Sequence, residues 1–330
     1  MLVQQTQNHS IRMIVKLILL LFLIVHTLFS ANLKPTHSYK GTGSITDILQ
    51  ISNLLYAASD QGVIDIFDLN TNKLKSQIIL PTIKDFMNDD IKAKIFSIDL
   101  YNDKLLIVAQ GTAGFRNVFI HKDNKLTPII THKNKLFISK AKYISDNEII
   151  FALLSNEVAL YNFTQNKIIW QKQINTSRFS DFQLNNAKSK LALTDESGEI
   201  FLVDVQSGDT LEKFVGQNVD NIFQVDYKNG IITGAGQDRR VSVYDSHNKS
   251  NTSYKKSSFI VYSVGLSPSA KLTAYSSNEE NDIIVMKTDS KTVLHTLLGH
   301  KSIISKILFI NEDEIFTSSD DQYINYWKLK

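Results

Sequence analysis

GHKSIISKILFINEDEIFTSSDDQYINYWK, residues 299–328, decides the fold. After Gly299-His300 comes an alternating apolar run, ISKILFI (304–310), then a turn of Asn and acidic residues. A second run, EIFTSS (314–319), leads through Asp320-Asp321 into a third, YINYWK (323–328). The alternation has a period of two and is rich in Ile, Phe and Tyr, which describes short strands and excludes a continuous helix. Three such strands cannot bury both faces of the sheet they form. They need neighbours of the same kind.

Those neighbours are upstream. Third-strand runs recur as VIDIFD (63–68), RNVFI (116–120), EVALYNF (157–163), EIFLVDV (199–205), RVSVYD (240–245) and DIIVMK (282–287). The large residue near each end serves as a marker: Phe67, Phe119, Tyr161, Val203, Tyr244, Met286 and Trp327. Their spacings are 52, 42, 42, 41, 42 and 41 residues. The single long interval carries extra residues around 81–93 (PTIKDFMNDDIKA), which read as a surface excursion with room for a short helix. Each unit has a first strand, such as FSIDLY (96–101), and a middle strand, such as KLLIVAQ (104–110). A fourth run follows the marker, as in KIIWQKQI (167–174). Four short strands repeated at this period describe the blades of a β-propeller, seven in number. The last unit lacks a fourth strand, and residues 33–41 (LKPTHSYKG) stand unpaired ahead of the first unit. Pairing the two would close the ring by hydrogen bonds and leave no free sheet edge.

The final unit resembles a WD40 repeat, on Gly299-His300, the Ser318-Ser319 pair, Asp321, and Trp327 six residues later. That resemblance implies a buried hydrogen-bonded chain of His300, Ser318, Asp321 and Trp327 with a structural role. Other units keep fragments only. Gln217 follows Gly216 where the family has His, and Val203 and Met286 replace Trp. The rhythm covers residues 33–330, so the expected organisation is one WD40-like, all-β propeller over 31–330.

Residues 1–30 form a different segment. They contain no acidic residue, Arg12 and Lys16 precede or open an apolar run at 17–28, and Ser30-Ala31 follow. This is the shape of a secretory signal peptide cleaved near Ser30 or Ala31; the polar residues 1–12 add nothing to it, which points to Met13 as an alternative start. The run is short for a spanning helix, so no stable membrane anchor is expected after cleavage. The Lys-, Asn- and Ile-rich composition suggests an AT-rich bacterium, and export then means the periplasm. Removing 1–30 leaves 34 basic against 33 acidic side chains. A near-neutral chain is a poor fit to nucleic acid, whose binding rests on neutralising phosphates. The absence of cysteine excludes disulfides, cysteine-ligated zinc, iron–sulfur centres and thiol catalysis.

Catalytic and metal motifs are missing. His37, His121, His132, His247, His295 and His300 show no metal-ligand spacing. Gly41-Thr42-Gly43-Ser44 lacks the Lys of a phosphate loop, and Gly234-Ala235-Gly236 has no helix after it. No GxSxG elbow occurs. Asp89-Asp90, Glu279-Glu280 and Asp320-Asp321 read as solvated turn residues. The expectation is therefore no catalytic, metal or cofactor site, and not an enzyme.

Three readings of function follow. A cysteine-free, exported, WD40-like propeller resembles the NapL-type periplasmic accessory proteins of nitrate reductase operons. That implies a protein-binding scaffold whose partner is another periplasmic protein, such as the reductase or an electron-transfer component. An enzyme is the alternative: residues 162–170 (NFTQNKIIW) echo the repeated turn of quinoprotein dehydrogenase propellers, and lactonases share the fold. A scaffold in outer-membrane protein assembly is the third. For a scaffold, turns between second and third strands share one face with the loops entering first strands. Phe115, Arg116, Gln237, Arg239 and Arg240 stand out there as partner-binding candidates, because aromatic residues and Arg dominate interface hot spots.

Overall fold

The protein is described by a computed structural model over residues 31–330. The leader expected at 1–30 lies outside the described residues. Seven four-stranded antiparallel sheets follow one another along the chain. Blade one runs Ile45–Ile51, Leu54–Ser59, Val63–Asp68, Lys73–Ile79, and blade two Ile95–Tyr101, Lys104–Gln110, Arg116–Lys122, Lys125–Ile130. Blade three comprises Ile138–Tyr143, Glu148–Leu153, Glu157–Asn162 and Lys167–Gln173; blade four comprises Phe179–Leu184, Lys190–Asp195, Ile200–Asp204 and Thr210–Phe214. Blade five is Ile222–Lys228, Ile231–Gly236, Arg240–Asp245 and Thr252–Lys256, and blade six Val264–Leu266, Leu272–Ser276, Ile283–Lys287 and Val293–Leu297. Blade seven has Ile304–Phe309, Glu314–Ser319 and Tyr323–Lys328, with His37–Lys40 as its fourth strand.

The first strands of successive blades contact one another all the way round, blade seven against blade one included, so the ring is closed. Each of the seven interfaces carries its own apolar cluster. Every marker residue packs against the preceding blade: Phe67 lies with Tyr39 and Phe316, and Trp327 with Ile283 and Val285. Burying such a side chain contributes about 1.5–3 kcal/mol. A fixed repeat of a large apolar residue is therefore what sets the blade spacing.

Closure uses more of the N-terminal segment than the sequence implied. His37–Lys40 pairs antiparallel with Tyr323–Lys328, Tyr39 facing Ile324. Ala31–Leu33 instead lies parallel to Val293–Leu297, as a fifth strand on blade six. The segment thus stitches two adjacent blades. The excursion also differs from expectation, since it forms a miniature hairpin, Ile83–Lys84 with Asp90–Ile91, and no helix. The Asp85 carboxylate accepts from the backbone N–H groups of Met87 (2.8 Å) and Asp89 (2.9 Å), which stabilises a tight turn that a helix would not allow.

Candidate functional site

Polar groups near the axis come from one position repeated around the ring. The third residue of the inner strand reads Asp47, Ser97, Lys140, Asp181, Gln224 and Lys306 in blades one to five and seven, and Ser263, just ahead of its strand, stands beside them in blade six. In all blades but the sixth, the residue before it has no cross-strand partner: Thr46, Phe96, Ser139, Ser180, Phe223 and Ser305 are β-bulges. A bulge re-aims the neighbouring side chain, here into a throat of about 150 Å³ lined by all of these residues except Ser263. The polar groups of the throat pair with one another. Lys140 Nζ meets Asp181 at 2.7 Å, Lys306 approaches Asp47 at 3.7 Å, and the Ser263 hydroxyl donates to Gln224 at 2.8 Å. The carboxylates also tie blades together, Asp47 accepting from Ile98 N–H (3.0 Å) and Asp181 from Val225 N–H (3.2 Å). Burial pushes the Lys140 ammonium down to about 8, an effect that Asp181 offsets only in part.

Blade seven contains a long buried polar chain. Trp327 Nε1–H donates to Thr317 Oγ1 (2.8 Å), which lies 2.7 Å from His300 Nε2; His300 Nδ1 is 2.8 Å from Ser319 Oγ, which donates to Asp321. Every donor finds an acceptor when His300 carries its proton on Nδ1. Burial alone would raise the Asp321 pKa, but nearby His300 and hydrogen bonds from Ser319 and the Lys301 and Tyr323 N–H groups hold it well below the usual carboxylate range. The serine in this chain is Ser319, not Ser318. Ser318 is on the opposite face of the pleat, bonded to Ser305 at 2.9 Å. Thr317, which sequence reasoning missed, joins Trp327 to His300. Thr317→Val is expected to cost about 1–3 kcal/mol, because it strands the Trp327 indole N–H and His300 Nε2 in a buried site. Ser318→Ala should cost less, and urea-unfolding midpoints of the two variants check the order.

Phe115, Arg116, Gln237, Arg239 and Arg240 all lie on the face carrying the turns between second and third strands, termed the upper face. They form two patches, on blades two and five, with the throat between. Arg239 and Gln237 are exposed. Arg240 is held: its guanidinium lies 4.5 Å from the Tyr254 ring centroid, Nη1 donates to Gln217 O (3.1 Å), and Asp238 is 3.6 Å away. Arg116 is likewise folded back, 4.0 Å above the Phe96 ring and bonded to Gly114 O. Phe115 stacks on Phe137 at 4.7 Å. Arg178, in the loop entering blade four, is also on this face. All four arginines of the described residues are therefore gathered on one side of the disc, in a chain whose lysines are spread over both.

The opposite face has a hollow of about 730 Å³ beside blade six, with Leu272, Leu294 and Leu329 among its lining residues. Several of its polar groups are turned on one another: Glu312 accepts from Ser269 N–H, Lys330 pairs with Asp313, and Lys291 bonds to Thr288 O. Among the described residues, no group of three or more His, Asp or Glu side chains is arranged to hold a metal ion. The tryptophan of the quinoprotein-like echo is part of the packing. Trp170 Nε1–H donates to Val205 O (3.1 Å), and its ring lies where a Cβ on Gly208 (φ 73°) would fall within 2.6 Å.

No family model and no curated protein matches the chain. Among solved structures, the β-propeller domain of Cps50 (Swd1) from Myceliophteria thermophila superimposes with a TM-score of 0.71. The match covers 90% of this chain and 99% of that one, at 12% sequence identity. At that identity the likeness is one of fold alone: the chain is a seven-bladed β-propeller.

Proposed function

We propose that this chain is an exported, non-catalytic propeller that docks a partner protein on its upper face. The observation that carries the reading is the gathering of all four described arginines on that face, beside half-exposed Phe96, Phe115, Phe223 and Tyr262. Arginine and aromatic side chains bind through rigid planar surfaces at low entropic cost, which is why they anchor interfaces. The throat supports the same reading, since its charges pair internally and leave no open acid or base for a substrate. Export rests on the leader-like segment at 1–30. The partner is then another periplasmic protein, and the resemblance to nitrate reductase accessory proteins makes the reductase or an electron-transfer component the client to test.

The two arginines of blade five separate recognition from stability. Arg239→Ala should weaken capture of the partner on the order of tenfold or more, with an unchanged melting curve. Arg240→Ala should lower the melting temperature as well, since it removes the Tyr254 stack and the Gln217 bond. Affinity capture from periplasmic extract, with both variants immobilised, measures this. Full capture by Arg239→Ala and by a Phe115→Ala/Arg116→Ala double variant would place docking elsewhere on the disc.

A further inference from the structure

The excursion between blades one and two is the part of the chain that the propeller does not need. It is nevertheless built with care. Its base is clamped on both sides: Ala93 is buried with its backbone against Gly62 in the turn of blade one, and Ile83–Lys84 touches the Thr112–Gly114 turn of blade two. Its tip is held by the Asp85 carboxylate, by Asn88 in the left-handed region (φ 68°), and by the Lys84–Asp90 ion pair at 2.9 Å. This ordered tip presents Phe86 at 91% and Met87 at 70% exposure. Holding two large apolar side chains in water forgoes about 1.5–3 kcal/mol of burial for each. A tip built only to turn the chain would carry polar residues.

We infer that residues 81–93 form an insertion element, whose Phe86 and Met87 enter an apolar socket on a partner protein with an acidic rim. The inference deepens the docking reading above and rests on it. Charge complementarity argues for the partner's chemistry. Exposed Phe137 and half-buried Phe115, ring centroids 4.7 Å apart, extend the apolar surface from the hairpin's foot, and Lys92, Lys133, Lys135 and Arg116 flank these segments in the chain. Together with Lys84, and against Asp85, Asp89 and Asp90, this sector is net positive. An anionic membrane fits less well. The three aspartates sit at the tip itself, the part that would have to enter the headgroup layer. Phe–Met pairs suit a protein socket because both adapt to irregular walls and bury large areas.

The test places a photo-crosslinking amino acid at Met87 in the full chain, expressed in its own cell. A second chain carries it at Gln237, on the same face but outside the hairpin. The expected Met87 adduct is a single protein whose crosslinked peptide is apolar and flanked by Asp or Glu. Phe86→Asp, at a fully solvated position that leaves folding intact, should reduce that adduct on the order of tenfold to thirtyfold. Binding of the purified chain to phosphatidylglycerol vesicles should be absent. An adduct at Gln237 with none at Met87 overturns the insertion element and spares the docking face. No adduct at either position overturns both. A lipid adduct, vesicle binding, or crosslinking to a second copy of this chain also overturns the proposed occupant.

Discussion

Replacing Lys140 with alanine is expected to lower the unfolding free energy by roughly 3–5 kcal/mol, because Asp181 keeps a buried charge without its counter-ion. The pair is 2.7 Å apart, with side chains 10% and 11% exposed. Asp181 would retain the Val225 N–H bond and only the weaker attraction of Lys306. Adding Asp181→Ala should recover part of the loss, with a coupling of about 0.5–3 kcal/mol in a double-mutant cycle. The pair also sets a pH dependence. Burial lowers the Lys140 pKa to about 8 from the ordinary 10.5, Asp181 pulls it back in part, and Lys306 and Lys142 push it further down. The folded chain thus binds this proton more weakly than the unfolded chain. Between about pH 8 and 10.5 the unfolded state holds more protons, so this group's contribution to stability rises with pH. Lys306 runs the other way. Burial alone would lower its pKa, but Asp47, Asp181 and Asp226 raise it, so its contribution is present below 10.5 and lost above. Denaturant midpoints measured at about pH 8 and pH 10 should rise more in the parent than in Lys140→Ala. An equal slope in both would remove Lys140 from the throat's electrostatics.

Deleting residues 31–41 should abolish the single cooperative unfolding transition and promote aggregation. The deletion strips the antiparallel partner from Tyr323–Lys328 and the parallel one from Val293–Leu297. Tyr323–Lys328, an interior strand of its sheet, then becomes a solvent-facing edge and a template for another chain, while blade six is left with an outer edge like that of the other blades. It also removes Tyr39, 3% exposed, whose ring packs 5.2 Å from Phe67 and 6.1 Å from Phe316 across the closing interface. A milder variant separates these effects. Tyr39→Ala keeps the strand and should cost roughly 3–5 kcal/mol, as for other buried aromatics cut to alanine. Light scattering and calorimetry of the two chains check both statements. A truncated chain that stays monomeric and melts like the parent would show that the seam does not hold the disc together.

The blade count was legible because a large apolar residue returns at a nearly fixed interval, and burial against the preceding blade demands one each time. Side-chain direction was harder. Ser318 and Ser319 are adjacent in sequence, and only the pleat of the strand decides which one faces His300. Arg116 and Arg240 stand out in the sequence as turn residues, but their guanidiniums do not reach into solvent. They fold back because Phe96 and Tyr254, distant in sequence, offer rings to stack on. The throat left a signal that went unused. Asp47, Lys140, Asp181 and Lys306 are charged residues that recur at the third position of an inner strand. The excursion showed its length but not its hairpin, since that depends on Asp85 bonding to two backbone N–H groups.

Docking on the upper face is the central claim, and crosslinking from both faces of one blade tests it most directly. A photo-crosslinking amino acid is placed at Gln237 on the upper face, or at exposed Asn248 in the opposite turn of blade five. The account predicts one discrete protein adduct from Gln237, lost with Arg239→Ala, and none from Asn248. An adduct from Asn248 with none from Gln237 would contradict it.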